Sequence, residues 1–471
     1  MKENLSMGLI VGNRGFFPDH LCKTGRAKLL AILKEKNVDV VTLSEKESKF
    51  GSVETWRDAK KCASLFKKNR EKISGIIVTL PNFGDERGVS DAIRLSGLDV
   101  PILIHAWPDE IKKMDSTHRR DSFCGKISVC NNLLQYGIKF TLTEKHTAAP
   151  ASGQFSREID NFLSICRVVR GLKNVRLGAI GTRPQAFKTV RYSEKILEKF
   201  GVAVDVIDLS EIFAGAEKLK EGSQEVKEQL EKINNYTDTS EVPATSLLKM
   251  AKLKVIIERW IKENELSSIA IQCWTSIQQN YGVMPCAVMS FLSNSLLPAA
   301  CEVDITGALS MYILQLASGT PSAIVDWNNN YGNEEDKTVL FHCSNLPAHF
   351  FHKSRMYISE IIANDIGKEN AYGTIYGKIK PSPFTFLRLT TDDFSGKIKG
   401  YIGEGRLTDD KLETFGGYGI AEIEDLQNLM KFICENGFEH HTVINLSRTS
   451  GIVKEALEKY KGWDIYQHSA A

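Results

Sequence analysis

Apolar runs that alternate with helical segments fill the first 110 residues, and they restrict the fold more than any other feature of the sequence. Met7 to Val11 is a short apolar run; a glycine loop follows it, and apolar residues then recur at helical spacing from about Asp19 to Lys36. The same unit recurs around segments 38–43, 75–80 and 100–106. Apolar strands that alternate with helices predict an α/β fold with a parallel, doubly wound sheet, whose ligands gather at the carboxyl ends of the strands.

A second series of strands and helices begins near residue 170. A strand enters a glycine turn at Gly181, and the pattern predicts a helix after the turn that runs through about Phe200. From about residue 370, short alternating segments separated by turns predict a small antiparallel β-barrel. We therefore expect two Rossmann-like domains and a strand-rich C-terminal domain. Their predicted ranges are 1–168, 169–330 and 331–471, and the second range contains Glu302 and Asp326.

The charge balance excludes several classes of partner. The 471 residues include 60 Lys and Arg against 58 Asp and Glu, and neither sign is gathered into a tail. A nucleic-acid-binding or membrane-surface protein therefore has no support, and a small molecule is the expected partner. The ten cysteines contain no C-x-x-C pair, and the apolar run at the amino terminus is too short for a signal peptide. We expect a cytoplasmic protein with reduced thiols.

Carboxylates and imidazoles that follow apolar runs are the strongest chemical signal. Glu302 and Asp326 lie in a strongly apolar stretch, His342 ends another apolar run, and His440 and His441 precede a predicted strand. A few carboxylates and imidazoles at strand ends favour an open, oxygen-rich divalent site of the Mn²⁺ kind over a closed zinc site, which would favour thiolates. The glycine loops lack a complete nucleotide-binding fingerprint, so no nucleotide cofactor is expected.

Structural roles are the alternative for the same residues. Glu302 could merely cap the helix predicted from Ile305 to Ala317, and Asp326 could cap a turn into Asn328. A single histidine such as His342 is more often a packed or surface residue than a metal ligand. The sequence alone leaves these alternatives open.

The segment from Ala300 to Ala308, with Asp326 following in Val325-Asp326-Trp327, resembles the metal-binding segment of the L-fucose isomerase and L-arabinose isomerase superfamily. The order of the domains and the pair His440–His441 near the end also resemble that family. The resemblance implies Mn²⁺ bound by Glu302, Asp326 and one of the two histidines. It also implies interconversion of an aldose and a ketose through an enediol, with both carboxylates as catalytic residues.

The same resemblance implies the remaining site residues and the assembly. Gln272, Trp274 and His342 resemble residues that contact the sugar, and Arg14 resembles a basic residue that reaches the active site of a neighbouring subunit. A homo-oligomer, a trimer or hexamer with shared active sites, is therefore expected. The substrate would be a 6-deoxyhexose, a pentose or a C6-modified glucose such as sulfoquinovose, whose sulfonate Arg14 could bind.

A different class of function stays open beside this one. Paired Rossmann-like domains also build sensors, so the chain could be a cytoplasmic sugar-binding or regulatory protein without catalysis. That hypothesis predicts no metal and gives no joint role to Glu302, Asp326 and the C-terminal histidines.

Overall fold

The structure is a computed structural model that describes residues 5–468, and the chain divides into two compact units. Unit 1 runs to Arg170 and includes Lys459–Lys461, whereas unit 2 comprises Gly171–Glu458 and the residues from Gly462 onward. The three predicted domain ranges stay predictions beside this division into two units.

Unit 1 is built on a parallel sheet of five strands: β1 (Ser6–Val11), β2 (Asp39–Val41), β3 (Ile73–Leu80), β4 (Ile102–Ala106) and β5 (Thr141–Leu142). Their order is β2-β1-β3-β4-β5, and each neighbouring pair is parallel. The helices are α1 (His20–Glu35), α2 (Trp56–Lys68), α3 (Glu86–Ser96), α4 (Ser122–Gln135) and α5 (Gly153–Gly171). This arrangement confirms the predicted Rossmann-like sheet.

Helices cover both faces of this sheet because its strands are apolar on both sides. Leu9 belongs to a core formed with α1 and α5, and the next residue, Ile10, belongs to a second core formed with α2 and α3. Successive residues of a strand point to opposite faces, so the two cores lie on opposite sides of the sheet. A strand buried on both faces is a continuous apolar run, which is why the sequence located these strands.

Unit 2 begins with a parallel sheet of four strands: β6 (Val175–Ile180), β7 (Val202–Ile207), β8 (Ser268–Ile271) and β9 (Ala299–Cys301), in the order β7-β6-β8-β9. Its helices are α6 (Glu194–Lys199), α7 (Leu209–Lys218), α8 (Gln224–Tyr236), α9 (Ala244–Glu263), α10 (Ser276–Asn280), α11 (Cys286–Asn294) and α12 (Ile305–Ser318). This second parallel sheet also agrees with the predicted fold class.

The helix predicted after the turn at Gly181 is present and ends at Lys199, next to Phe200 as predicted, but it is short. A loop with one 3₁₀ turn at Lys188–Val190 occupies residues 182–193, and α6 begins only at Glu194. Pro184 gives a physical reason, since a proline disfavours helical geometry in the residue before it. As a result, Phe187 lies on a loop at the carboxyl end of β6.

The remaining strands form a mixed sheet of nine: β10 (Ser322–Tyr331), β11 (Glu334–His342), β12 (Arg355–Ile358), β13 (Tyr372–Lys378), β14 (Ser382–Asp392), β15 (Lys397–Leu407), β16 (Gly417–Glu422), β17 (His441–Asn445) and β18 (Asp464–Gln467). Their order is β12-β13-β16-β11-β10-β17-β14-β15-β18, and β15 also pairs with β16. The pairs β13–β16 and β15–β18 are parallel, so the sheet is mixed, and the small antiparallel barrel stays a prediction.

Short helices complete unit 2: α13 (Glu360–Ile366), α14 (Leu426–Glu435) and α15 (Ser450–Lys454). A π-helical turn at Glu455–Lys461 follows α15, and its last three residues belong to unit 1. Within residues 5–468, no helix combines the length and apolarity that a bilayer span requires.

Strand register places the polar residues of the mixed sheet side by side. In the antiparallel pair β10–β17, Asp326 lies directly opposite His441. On its other side, β10 pairs with β11, where Asp326 lies opposite Phe341, the residue before His342. Three adjacent strands thus carry one carboxylate and two imidazoles at the same level of the sheet.

Candidate active site

Six of the predicted site residues come together in unit 2. Two of them follow the carboxyl ends of β8 and β9, three lie on β10, β11 and the first position of β17, and the sixth directly precedes β17. Hydrogen bonds and close contacts between side chains connect them. The six are Trp274, Glu302, Asp326, His342, His440 and His441.

Glu302 is held in a tight turn between β9 and α12. Its φ is +61° and that of Val303 is +56°, an unusual left-handed pair for residues other than glycine. The side chain is buried, and its Oε1 accepts a hydrogen bond of 2.9 Å from Nε1 of Trp274. The alternative that Glu302 caps α12 is wrong, because Asp304 is the N-cap residue and accepts a hydrogen bond from the backbone N–H of Gly307.

Asp326 projects from the middle of a strand. The alternative that it caps a turn is wrong, because β10 continues without a break to Tyr331. Its Oδ1 lies 3.5 Å from Nε2 of His441 and 3.6 Å from Nε2 of His440. The carboxylate therefore faces both histidines of the pair.

His441 is enclosed by carboxylates. Its Nδ1 lies 2.9 Å from Oδ2 of Asp304, and its Nε2 lies 2.9 Å from Oε2 of Glu302 without the alignment of a hydrogen bond. Burial lowers the pKa of His441, but Asp304 and Glu302 outweigh burial and raise it to about 10. For Glu302, burial raises the pKa of the carboxyl group, but the nearby His441 outweighs burial and brings that pKa below its ordinary value.

His342 differs from His441 in its hydrogen bonds. Its Nδ1 accepts a hydrogen bond of 3.0 Å from the backbone N–H of Cys343, and its Nε2 lies 3.1 Å from Sγ of Cys301. When Nδ1 accepts a hydrogen bond, the proton of a neutral imidazole is on Nε2. The neutral His342 ring can therefore donate from Nε2, whereas a neutral His441 ring, with its proton on Nδ1 facing Asp304, can offer a lone pair from Nε2.

His440 is the more open member of the histidine pair. Its side chain is 42% exposed, whereas that of His441 is 1% exposed. Phe187, from the loop after β6, meets the His440 ring edge to face with ring centroids 5.1 Å apart and also contacts Trp274 at 5.8 Å. Phe187 and Trp274 thus form an aromatic wall beside the carboxylates.

The donor set fits a divalent cation. Among the described residues, neither Oε2 of Glu302 nor Oδ1 of Asp326 has a hydrogen-bond partner, although both atoms are buried. Ligand atoms of two groups lie within 4.8 Å of one another: Cys301, Glu302 and His342, and Asp326, His342 and His441. Buried carboxylate oxygens are unstable without a cation or donors, and oxygen and imidazole donors suit ions such as Mn²⁺.

Two predicted site residues, Arg14 and Gln272, have contacts with other side chains and backbone groups and none with these six among the described contacts. Arg14, in unit 1, forms an ion pair with Glu86 and lies over the ring of Phe83, 4.0 Å from its centroid. Gln272 follows β8, and its Oε1 accepts a hydrogen bond of 2.9 Å from the backbone N–H of Thr182. Their predicted contacts with the substrate stay predictions.

Three side chains around the site were not predicted from the sequence: Arg388, Glu439 and Phe187. Arg388 is fully buried and binds Asp304 and Glu439. An arginine inside the apolar run 384–389 could have been noticed, because a buried guanidinium requires carboxylate partners. Nothing in the local pattern indicated Phe187, which the sequence placed on a helix.

Comparison with known proteins matches both ends of the chain to one family. Residues 8–173 match the family model of the fucose/sulfoquinovose isomerase N-terminal domain. Residues 340–468 match the L-fucose isomerase C-terminal domain.

Curated relatives are sulfoquinovose isomerases. The protein from Priestia megaterium is 26% identical over 244 residues, which are 52% of this chain and 53% of that protein. The protein from Alkalicoccus urumqiensis is 27% identical over 297 residues, 62% of this chain and 65% of the relative. A Clostridium relative is 27% identical over 197 residues, 41% of this chain and 43% of its own length. The matches thus cover between 43% and 65% of the lengths of these relatives.

Proposed function

We propose that this chain, which belongs to the fucose isomerase-like family and to its sulfoquinovose branch, is a metal-dependent aldose–ketose isomerase. One observation carries the proposal: the buried, unpartnered oxygens of Glu302 and Asp326 face Nε2 of His441. Such an arrangement suits a cation and leaves carboxylates able to move protons. The names of the relatives make sulfoquinovose the first substrate to test.

Glu302, Asp326 and His441 are the proposed metal-binding residues, and Mn²⁺ is the proposed ion. His441 is preferred to His440 because Asp304 occupies its Nδ1 and leaves Nε2 available to a metal. A bound divalent cation would hold two neighbouring sugar oxygens and stabilise the negative charge that develops on them.

Glu302 and Asp326 are also the proposed catalytic residues. One carboxylate removes the proton from C2 of the open-chain aldose, and the electron pair of that C–H bond forms the C1=C2 bond of an enediol while O1 gains a proton. Return of a proton to C1 and loss of the O2 proton then give the ketose. No atoms are gained or lost overall, so no redox cofactor is required.

The neighbouring side chains have the chemistry to hold a sugar. Nε2–H of His342 can donate to a hydroxyl, and the aromatic wall of Trp274 and Phe187 suits the C–H face of the chain. We infer that Gln272 contacts the same substrate.

Arg14 is the proposed partner of an anionic group at the far end of the substrate, contributed from a neighbouring subunit of a trimer or hexamer. Its guanidinium is planar and suits a sulfonate. Cytoplasmic location and a closed antiparallel barrel in unit 2 belong to the same proposal.

A panel of aldoses tests the function. Metal-free protein, with and without added Mn²⁺, is incubated with sulfoquinovose, 6-deoxyhexoses and neutral pentoses, and ketose formation is measured. We expect turnover that requires metal and is fastest with the sulfonated sugar. Tight sugar binding without ketose from any member of the panel would favour the sugar-binding protein instead.

A further inference from the structure

We propose that Asp304, clamped by Arg388, is a positioning residue that fixes the ring of His441 with Nε2 ready to bind a metal. The inference rests on the proposed metal site and adds a residue outside the set that would bind the ion. Asp304 is the N-cap residue of α12, and its carboxylate has further partners beyond that cap.

Every oxygen of the Asp304 carboxylate is engaged. Oδ1 accepts hydrogen bonds from the backbone N–H of Gly307 at 2.8 Å and from Nη2 of Arg388 at 3.0 Å. Oδ2 accepts from Nη1 of Arg388 at 2.5 Å and lies 2.9 Å from Nδ1 of His441. The carboxylate is fully buried, so water does not compete for these partners.

These contacts determine which nitrogen of His441 is available. A carboxylate oxygen that is already bound to a guanidinium can only accept, so Nδ1 of His441 must donate its proton to Oδ2. In the neutral ring, Nε2 then carries the lone pair, and it points toward Glu302 and Asp326. A metal-ligating histidine generally depends on such a partner at its other nitrogen.

Arg388 keeps the carboxylate of Asp304 from rotating. Its guanidinium binds both oxygens of Asp304, and its Nε donates to Oε2 of Glu439 at 3.0 Å. Nη2 also donates to Oγ1 of Thr306 at 2.9 Å. Four donors of one fully buried fork are thus fixed, and a lysine could not reproduce this planar geometry.

The test compares Mn²⁺ affinity of metal-free variants by isothermal titration calorimetry. Asp304→Asn can still cap Gly307 but offers no carboxylate to Nδ1 of His441, and we expect it to weaken Mn²⁺ binding by about 10- to 100-fold. Glu439→Gln is the matched control, because it removes a carboxylate from the same clamp yet keeps an acceptor for Arg388. We expect it to change the affinity by less than about threefold.

Enzyme kinetics separates positioning from a general structural role. Because the defect of Asp304→Asn lies in metal binding, excess Mn²⁺ should restore most of kcat, and KM for the sugar should stay within about twofold. If this variant does not fold, Arg388→Lys replaces it, with an intermediate loss of Mn²⁺ affinity expected. Unchanged affinity in these variants, or equal losses in Asp304→Asn and Glu439→Gln, would overturn the inference.

The two proposals can fail separately. If the unsubstituted chain and Glu302→Gln bind Mn²⁺ equally weakly, the metal site itself is wrong, and the role of Asp304 falls with it. If Glu302→Gln loses Mn²⁺ while Asp304→Asn keeps it, the metal site stands and only the positioning role is wrong.

Discussion

His105 in unit 1 and His441 in unit 2 are both fully buried imidazoles, yet their surroundings give them opposite properties. His105 contacts only neutral groups with its ring nitrogens: Nδ1 lies 3.0 Å from Oγ1 of Thr79, and Nε2 lies 2.7 Å from the carbonyl oxygen of Ala148. Burial therefore lowers its pKa to about 4, whereas the carboxylates around His441 outweigh burial and raise that pKa to about 10.

The difference shows that burial alone does not indicate a functional site. Both ring nitrogens of His105 have neutral hydrogen-bond partners, and Thr79 also accepts a hydrogen bond from Trp107. His105, Thr79 and Trp107 therefore form a structural hydrogen-bond network inside unit 1. Around His441, Asp304 is matched by Arg388, whereas Glu302 and Asp326 have no matching guanidinium or ammonium among their described contacts. An excess of buried negative charge is what suits a cation.

Loss of one of the carboxylates that lack a cationic partner should have the largest effect on activity. Glu302→Gln keeps the shape of the side chain but removes its charge, and we expect turnover to fall by about 10²- to 10⁴-fold with loss of bound metal. Steady-state kinetics and metal analysis measure both effects. Glu335→Gln, on an exposed part of β11, is the matched control and should behave like the parent. Full metal content in Glu302→Gln would refute this role.

The two adjacent histidines should differ in their effect on the metal. His441→Gln removes a proposed metal ligand. We expect it to weaken Mn²⁺ binding by more than the roughly 10- to 100-fold that is typical when only the hydrogen-bond partner of a ligand is lost. His440→Gln should retain Mn²⁺ affinity, because no carboxylate is bonded to Nδ1 of His440 in the described structure. Calorimetric titration with Mn²⁺ measures the affinity of both variants. A larger loss of affinity in His440→Gln than in His441→Gln would assign the metal to His440.

Acid should destabilise the protein through His105. Its folded pKa of about 4 lies below the ordinary value of 6.5, so the stability that the neutral ring contributes is lost as the pH falls from about 6.5 toward 4. The loss reaches about 3 kcal/mol at most, at about 1.4 kcal/mol per pH unit. In metal-free protein, His441 affects stability in the opposite direction. The stability that its charged ring contributes is complete below about pH 6.5 and is lost as the pH rises toward 10.

Urea unfolding between pH 7 and pH 4.5 measures the effect of His105. His105→Asn should reduce the pH dependence, and His118→Asn, which alters an exposed histidine of the same unit, should leave it unchanged. Equal pH dependence in all three proteins would contradict the neutral state of His105.

The smallest effect is expected from the aromatic wall. Phe187→Leu keeps an apolar side chain but removes the edge-to-face contact with His440, which is worth about 0.5–1.5 kcal/mol. We expect kcat/KM to fall by about 2- to 12-fold with Mn²⁺ affinity unchanged. A matched substitution of a distant exposed aromatic, Phe394→Leu, should have no effect on kcat/KM.

The sequence predicted those features that depend on neighbouring residues of the chain, such as buried strands and the polar residues next to them. Continuous apolar runs located β1 and β3, and the polar residues that directly follow apolar runs include Glu302 and His342. The bond between Arg388 and Asp304 joins residues 84 positions apart, so no local pattern contains it. The choice between His440 and His441 likewise depends on strand register, since Asp326 lies opposite His441 only after β10 and β17 pair.

Isomerisation in D₂O shows directly whether a proton leaves C2 and whether C1 is protonated from a group that exchanges with solvent. Sulfoquinovose is incubated with metal-loaded protein, and NMR follows both the ketose and its C1 hydrogens. Proton transfer by carboxylates through an enediol predicts a ketose that carries deuterium at C1, because the proton removed from C2 exchanges with the solvent. No ketose, or a ketose that has only protium at C1 after many turnovers, would contradict the account.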